Sequence, residues 1–338
     1  MLRSFQSLNA AGSPVLSIVV PAYKEAGNLE QLHTELVKNL APLWCTWELI
    51  LVDDGSPDAT WECIVALHEK DHRVKGVRLS RNFGHQYALL AGISEARGSA
   101  VITMDGDLQH PPSVIPSLVW EWQRGNKIVH TIRRELPGLS WTKRLTSKMF
   151  YRVFSFLSGV PLKEGMADFR LLDRQVVDEI LKLKESRLFW RGLAQWVGYR
   201  SANVEYDCAE RFAGSSSYNF IRMVRFAWTG ITSFSMVPLR LATGAGLLTS
   251  LFAFYQLLDA VYVKMFTTRA VPGWASLYVL VSLLFGILFL LIGICGEYIA
   301  RILEEVRGRP RFVVSDQTSA HEAAAVAEPD AFSYAVVR

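Results

Sequence analysis

Two apolar stretches near the C-terminus, about Leu241–Val263 and Trp274–Tyr298, narrow what this chain can fold into. Each exceeds the ~20 residues that carry a helix across a bilayer core. Inside lipid, backbone N–H and C=O groups find partners only within a helix or a closed barrel, so such stretches fold as helices. The loop between them, Lys264–Gly273, is too short for a domain, and the two are expected to form a transmembrane hairpin over 239–300. Asp259 falls near the end of the first stretch, at interfacial depth. The loop carries Lys264 and Arg269. The other side carries Arg222, Arg225 and Arg240 before the hairpin and Arg301, Arg307, Arg309 and Arg311 after it. Positive charge marks the cytoplasmic side. The expectation is a multi-pass protein of the inner (plasma) membrane, with its N-terminal part and a tail, 301–338, in the cytoplasm. Beyond Ser315 that tail is rich in Ala, Ser and acidic residues and is expected to be disordered.

The two stretches hold much of the 50% hydrophobic content of the 338 residues. Length allows about two domains at ~150 residues each. A net charge of +4 implies no general polyanion binding, so nucleic acid is not an expected partner. Cys45, Cys63, Cys208 and Cys295 form no CxxC pair, which argues against zinc and a disulfide framework and suits free thiols in a reducing compartment. The N-terminal extension, 1–14, lacks the apolar core of a signal peptide.

From Val15 to about Thr131 short apolar runs alternate with helical patterns. The predicted strands are Leu16–Val20, Glu48–Val52, Val74–Leu79, Ala100–Met104 and Lys127–Thr131. Leu29, Leu32, Leu36, Val37 and Leu40 share one helix face, and Asp58 is a candidate N-cap for the next helix. Such alternation predicts an α/β domain, 15–217, with a mainly parallel sheet covered by helices. Ligands of such sheets bind beyond the carboxyl ends of the strands. Basic residues then interleave with apolar ones at 141–158 and at 218–238. Both are expected to be amphipathic helices in a membrane interface, the second leading into the hairpin.

Two acidic turns fall at that carboxyl edge. Asp53-Asp54-Gly55-Ser56 follows the second strand, where carboxylates can accept from base N–H or ribose hydroxyls, although an ordinary turn has the same composition. Asp105-Gly106-Asp107-Leu108-Gln109 follows the fourth. A hard divalent cation takes oxygen ligands and keeps waters and substrate phosphates in its shell, and this turn can supply part of such a shell. It lacks the later ligands of an EF-hand. Asp168 and Arg170 either face a cleft or form a local ion pair. Arg211 beside Gly214 and Ser215 suits a phosphate. Arg133, Arg134, Lys143 and Arg144 can meet lipid headgroups or a lipid-linked phosphate. His85, in Arg81-Asn82-Phe83-Gly84-His85, is either a helix-start residue or a substrate contact.

Pro21-Ala22-Tyr23-Lys24-Glu25, Val52 to Ser56, Ser80 to Gly84 and Asp105 to Pro112 together resemble the family 2 glycosyltransferases. Asp168-Phe169-Arg170-Leu171, Arg191-Gly192, the Arg211…Gly214…Ser216…Tyr218 pattern and the hairpin resemble one subgroup, the polyisoprenyl-phosphate glycosyltransferases. That subgroup includes dolichol-phosphate mannose synthases and bacterial undecaprenyl-phosphate glucosyltransferases. The resemblance spans about Ser17–Arg311 and implies a GT-A nucleotide-binding fold. It implies that Pro21, Tyr23, Glu25, Asp53, Asp54 and Arg81 bind the nucleotide sugar and that Asp105 contacts the donor. Asp107 and Gln109 would hold Mg²⁺ or Mn²⁺, and Asp168 would join Asp105 and Asp107 in catalysis. Arg133, Lys143, Arg144, Ser147, Arg170 and Arg211 are assigned to the acceptor phosphate.

Lys24 stands where the family usually has Asn, and Ser217 where Lys is common. The implied reaction is inverting, metal-dependent transfer of a sugar, glucose first, from a nucleotide donor such as UDP-glucose to polyprenyl (undecaprenyl) phosphate. The product would serve cell-envelope glycan modification, alongside a flippase and a downstream transferase, and a homo-oligomer is compatible with it. A mannose synthase or another sugar specificity remains open, as does an inactive membrane-anchored lipid-phosphate binder. A processive polysaccharide synthase would need a Gln-x-x-Arg-Trp motif that this sequence lacks.

Overall fold

The computed structural model describes residues 14–134, 166–183, 190–207, 237–266 and 273–318. The expected amphipathic helices, most of the N-terminal extension and the tail after 318 lie outside these residues. The chain divides into a sheet-bearing unit and a second unit that contains the long C-terminal helices.

In the first unit, β1 (Leu16–Ala22) and β2 (Trp47–Asp53) are buried at all seven positions. Continuous apolar runs of this kind belong to parallel strands covered on both faces. Between them α1 (Leu29–Leu40) buries Leu29, Leu32, Leu36 and Leu40, the face expected from their spacing. Then follow α2 (Thr60–Lys70), β3 (Val74–Leu79), α3 (His85–Glu95), β4 (Ala100–Thr103), α4 (Ile115–Gln123) and β5 (Ile128–Arg133). All five predicted strands are present, within two residues at each end. Asp58 does not cap α2. The helix starts at Thr60, and the Asp58 carboxylate accepts from the Thr60 hydroxyl at 2.6 Å instead.

Three strands were not foreseen: β6 (Met166–Asp173), β7 (Ser201–Tyr206) and β8 (Val314–Gln317). The helices α5 (Arg174–Lys182) and α6 (Trp190–Trp196) lie between β6 and β7. The sheet order is β7-β5-β6-β4-β1-β2-β3-β8. β4, β1, β2 and β3 are mutually parallel, β6 is antiparallel to both β4 and β5, and β8 is antiparallel to β3. From β1 the chain winds outward through β2 and β3, then returns to place β4 on the other side of β1. That reversal is the topological switch point, where loops diverge and leave a crevice beyond the strand ends.

β8 corrects the expected disorder beyond Ser315 for the residues described there, 316–318. An uncovered β3 would present a row of unpaired N–H and C=O groups. β8 supplies partners for them, and Thr318, 2% exposed, accepts the Gly76 N–H at 2.9 Å. A Cβ on Gly76 would lie 2.6 Å from Ile64 Cγ2 and 2.8 Å from Thr318 Cγ2.

In the second unit, α7 (Val237–Phe266) and α8 (Trp274–Arg307) pack on each other. Leu291 lies 3.3 Å from a Cβ placed on Gly246, and Tyr298 is hydrogen-bonded with the Leu239 backbone, so the helices run antiparallel. Leu247, Leu248, Phe254, Phe285, Phe289 and Leu290 are exposed. Among the described residues one stretch, Leu283–Arg307, is long and apolar enough to cross a membrane, with mean hydropathy 2.3 and none of its apolar window buried. α8 ends at Gly308, whose positive φ of 58° and N–H to Glu305 form a left-handed cap.

Gly76→Val should lower stability by about 1–3 kcal/mol through overpacking between α2 and Thr318. The thermal midpoint of the detergent-solubilised chain measures it, and an unchanged midpoint would count against the β3–β8 seam as drawn.

Candidate active site

A cleft of about 460 Å³ opens at the carboxyl edge of the parallel strands. Pro21, Ala22, Tyr23 and Glu25 reach it from the end of β1, and Asp54 from the end of β2. Asn82, Gly84 and His85 come from the β3–α3 junction, Asp105, Gly106 and Asp107 from the end of β4, and Asp168 from β6.

The first two loops are tied together. Lys24 takes a left-handed conformation, φ 61°, and its N–H donates to Ser56 Oγ at 3.1 Å. The Glu25 N–H donates to Thr60 Oγ1 at 3.1 Å, and its carboxylate accepts from the Asn28 amide. A non-glycine residue at positive φ costs energy that the surrounding contacts have to offset, and such residues cluster at ligand sites.

The two adjacent aspartates have parted. Asp53, expected at the donor, is fully buried behind the cleft wall: Oδ1 accepts the Ser56 N–H at 2.9 Å and Oδ2 lies 3.3 Å from Arg78 Nε. Asp54 is on the wall and accepts the N–H groups of Phe83 and Gly84 at 2.7 and 2.9 Å. The two loops meet so closely that a Cβ on Gly55, φ 64°, would lie 2.5 Å from the Arg81 carbonyl carbon. Arg81, also expected at the donor, is exposed and sits 4.2 Å over the Phe83 ring, away from the cleft lining.

The β4 turn holds itself. The Gln109 N–H donates to Asp107 Oδ1 at 3.1 Å, and Leu108 has φ 60°. Asp107 lines the cleft, while Gln109 sits in the same turn outside the lining. The Asp105 N–H donates to His110 Nδ1 at 3.0 Å. Asp105 Oδ1 and Oδ2 lie 3.4 Å from His85 Nε2 and 3.5 Å from His110 Nδ1. His110 is buried, stacked on Phe169 at 5.2 Å and edge-on to Tyr206 at 6.1 Å, and burial pulls its pKa down.

Both alternatives for Asp168 hold at once: it faces the cleft, and its Oδ1 lies 3.2 Å from Arg170. Arg170, expected at the acceptor phosphate, is 0% exposed and also donates to the Ala167 carbonyl at 3.1 Å. Its guanidinium therefore braces Asp168 from inside the sheet. Arg133 is exposed at the end of β5, whose carboxyl end shares the cleft's edge because β5 and β4 both run antiparallel to β6. Lys143, Arg144, Ser147 and Arg211 lie outside the described residues. Sequence reasoning left His85 open and did not single out His110, Asn82 or Gly84. Only the span from Arg81 to His85 after β3 hinted at the last two.

Among the described residues five carboxylates line the cleft, and neither Lys nor Arg does. Burial raises the Glu25 carboxyl above its ordinary value, the Asn28 amide offsets part of this, and Asp107 and Asp105 push it further up. Burial also raises Asp54, despite its two backbone donors. Such a wall repels a bare phosphate and attracts a cation. No group of three or more His, Cys, Asp or Glu side chains among the described residues forms a ready cage. An incomplete protein ligand set of this kind suits a cation that completes its shell with phosphate oxygens and water.

For Glu25 the folded-state pKa lies above the unfolded one. The cost of ionising it is absent below the unfolded value, about 4, and complete above the folded value, so stability falls as pH rises through that window. Glu25→Gln should therefore raise the thermal midpoint at pH 7 while weakening nucleotide-sugar binding. A lower midpoint at pH 7 would contradict this account of the cleft.

The Glycosyl transferase family 2 model matches residues 17–181. The chain is 42% identical over 301 residues to an uncharacterized glycosyltransferase, sll0501, of Synechocystis, covering 89% of this chain and 95% of that protein. It is 37% identical over 301 residues to the SfII prophage-derived bactoprenol glucosyl transferase of Shigella flexneri, covering 88% and 97%. A solved structure, glucosyl-3-phosphoglycerate synthase of Mycobacterium tuberculosis in complex with Mn²⁺, UDP and phosphoglyceric acid, aligns with TM-score 0.47 and 17% identity over 68% of this chain and 80% of that one. With an acidic cleft at the switch point of a GT-A α/β sheet and relatives matched over nearly their whole length, the chain belongs to the family 2 glycosyltransferases.

Proposed function

We propose that this glycosyltransferase moves glucose from UDP-glucose to polyprenyl (undecaprenyl) phosphate, with inversion, at the cytoplasmic face of the inner membrane. The observation that carries this reading is the similarity to a bactoprenol glucosyl transferase over 88% of the chain. An alignment that long leaves about forty residues out, so it spans most of the cleft and of both long helices.

Sheet topology supports the membrane half of the reading. β1 to β7 precede the helix pair and β8 follows it, yet all eight strands share one sheet. One sheet cannot draw strands from both sides of a bilayer, so the crossings between Tyr206 and Val314 are even in number. If Leu283–Arg307 crosses, α7, the other long helix among the described residues, suits the matching crossing, and the positive charge flanking the pair favours a cytoplasmic sheet.

In this reading Pro21, Tyr23, Glu25 and Asp54 line the nucleoside end, and Asp105 touches the donor. Asp107 and Gln109 would hold Mg²⁺ or Mn²⁺, which neutralises charge on the departing diphosphate. The acceptor is a phosphate monoester with a second pKa of about 6, largely a dianion at neutral pH, so it attacks without a strong general base. Its oxygen bonds to the anomeric carbon as the bond to the diphosphate breaks, and the stereochemistry inverts. Asp168, braced by Arg170, orients the sugar or the acceptor. Arg133, Lys143, Arg144, Ser147 and Arg211 hold the lipid phosphate by charge-assisted hydrogen bonds.

Purified chain in detergent, given Mg²⁺ or Mn²⁺, UDP-glucose and undecaprenyl phosphate, should form a glucosyl phospholipid. Asp107→Ala or EDTA should abolish it, and product that survives both removes the metal assignment. Turnover of GDP-mannose in place of UDP-glucose would move the sugar to mannose.

A further inference from the structure

We infer that Asp105 is set by two histidines, which act as positioning residues, His110 at its main chain and His85 at its carboxylate. The inference rests on the reading of Asp105 as a donor contact.

Asp105 is the second residue past β4, at the switch point, and its side chain is 37% exposed. Left alone, such a carboxylate would sample several rotamers. His110 fixes its backbone. Nδ1 of His110 accepts the Asp105 N–H at 3.0 Å, so that nitrogen carries no proton and the neutral ring holds its proton on Nε2. The ring cannot turn freely, because it is packed between Phe169 of β6 and Tyr206 of β7.

The unprotonated Nδ1 also faces Asp105 Oδ2 at 3.5 Å. Two acceptors face each other there, and no hydrogen bond can form between them. The other oxygen, Oδ1, has a better neighbour in His85 Nε2, at 3.4 Å. His85 is the first residue of α3 and, among the described residues, the one basic side chain in the cleft lining. One imidazole therefore places the main chain, and the other favours one rotation of the carboxylate. Both are held by elements outside the β4 turn. Misplacing a reacting group by 1 Å can cost on the order of 100-fold in rate.

The test uses the full chain in detergent with UDP-glucose and undecaprenyl phosphate. His85→Ala and His110→Leu should each lower kcat by ~10- to 100-fold, with the donor KM moved less than about threefold. His85→Gln puts an amide N–H near the place of Nε2, and His110→Asn puts an oxygen near the place of Nδ1. Each should recover most of the loss. Folding is monitored by thermal melts, and His110→Asn covers the case in which His110→Leu does not fold. Conservative variants as slow as the truncations, or full kcat in His85→Ala, would overturn the inference.

A wild-type chain that turns over no nucleotide sugar defeats the functional reading instead. The clamp is then decided by ¹⁵N spectra of histidine-labelled protein at pH 7.5. An unprotonated Nδ1 resonance that vanishes in His110→Asn supports it, and a protonated Nδ1 at His110 rejects it.

Discussion

β1 takes a parallel neighbour on each edge, β2 and β4, and all seven of its residues are buried. Its amino end is locked by a buried polar network. The Ser17 hydroxyl donates to Glu48 Oε1 and accepts the Gly98 N–H at 2.7 Å, while Glu48 also takes Lys75 Nζ at 2.6 Å and the Arg97 N–H at 2.7 Å. A buried carboxylate is tolerable when donors and a counter-charge compensate it, and Glu48 has three donors, one of them the Lys75 ammonium. With the amino ends of β1, β2 and β3 pinned to the turn before β4, the loops at the opposite ends have fixed roots. The cleft inherits its geometry from that frame.

The cleft carries the opposite electrostatics. Its carboxylates are crowded and partly desolvated, and two residues at its edge, Lys24 and Leu108, hold left-handed backbones. Both features cost free energy in the empty protein. Cross-loop hydrogen bonds offset the cost: Lys24 to Ser56, Glu25 to Thr60, and Asp54 to Phe83 and Gly84. The site is thus held ready for a cation-bearing ligand and does not relax to suit its own charges. Preorganisation of this kind is what electrostatic catalysis needs, since the polar groups need not rearrange as charge develops.

The parallel strands were legible in the sequence because burial on both faces writes them as unbroken apolar runs between turns. The acidic turns were legible for the same reason, as punctuation after those runs. β6 was not, because Asp168 and Arg170 interrupt its pattern, and their pairing is visible only in three dimensions. β8 has almost no intrinsic strand signal, and its conformation is imposed by the open edge of β3. The separation of Asp53 from Asp54 follows from β2 running to Asp53, so that alternation sends its side chain behind the wall. His110 left no local sign, because its ring is held by Phe169 and Tyr206, roughly sixty and a hundred residues away.

The eighth strand also imposes an order in time. Val314–Gln317 is synthesised after both long helices, about a hundred residues later than β7. β3 ends 235 residues before Val314, so at ~5–20 residues per second it waits on the order of 10–50 seconds with one edge unpaired. An open edge is a template for pairing with other chains. The sheet is thus completed only once the apolar helices have left the ribosome. A chain that stalls within them leaves the β3 edge open and the sheet-bearing unit exposed to proteolysis.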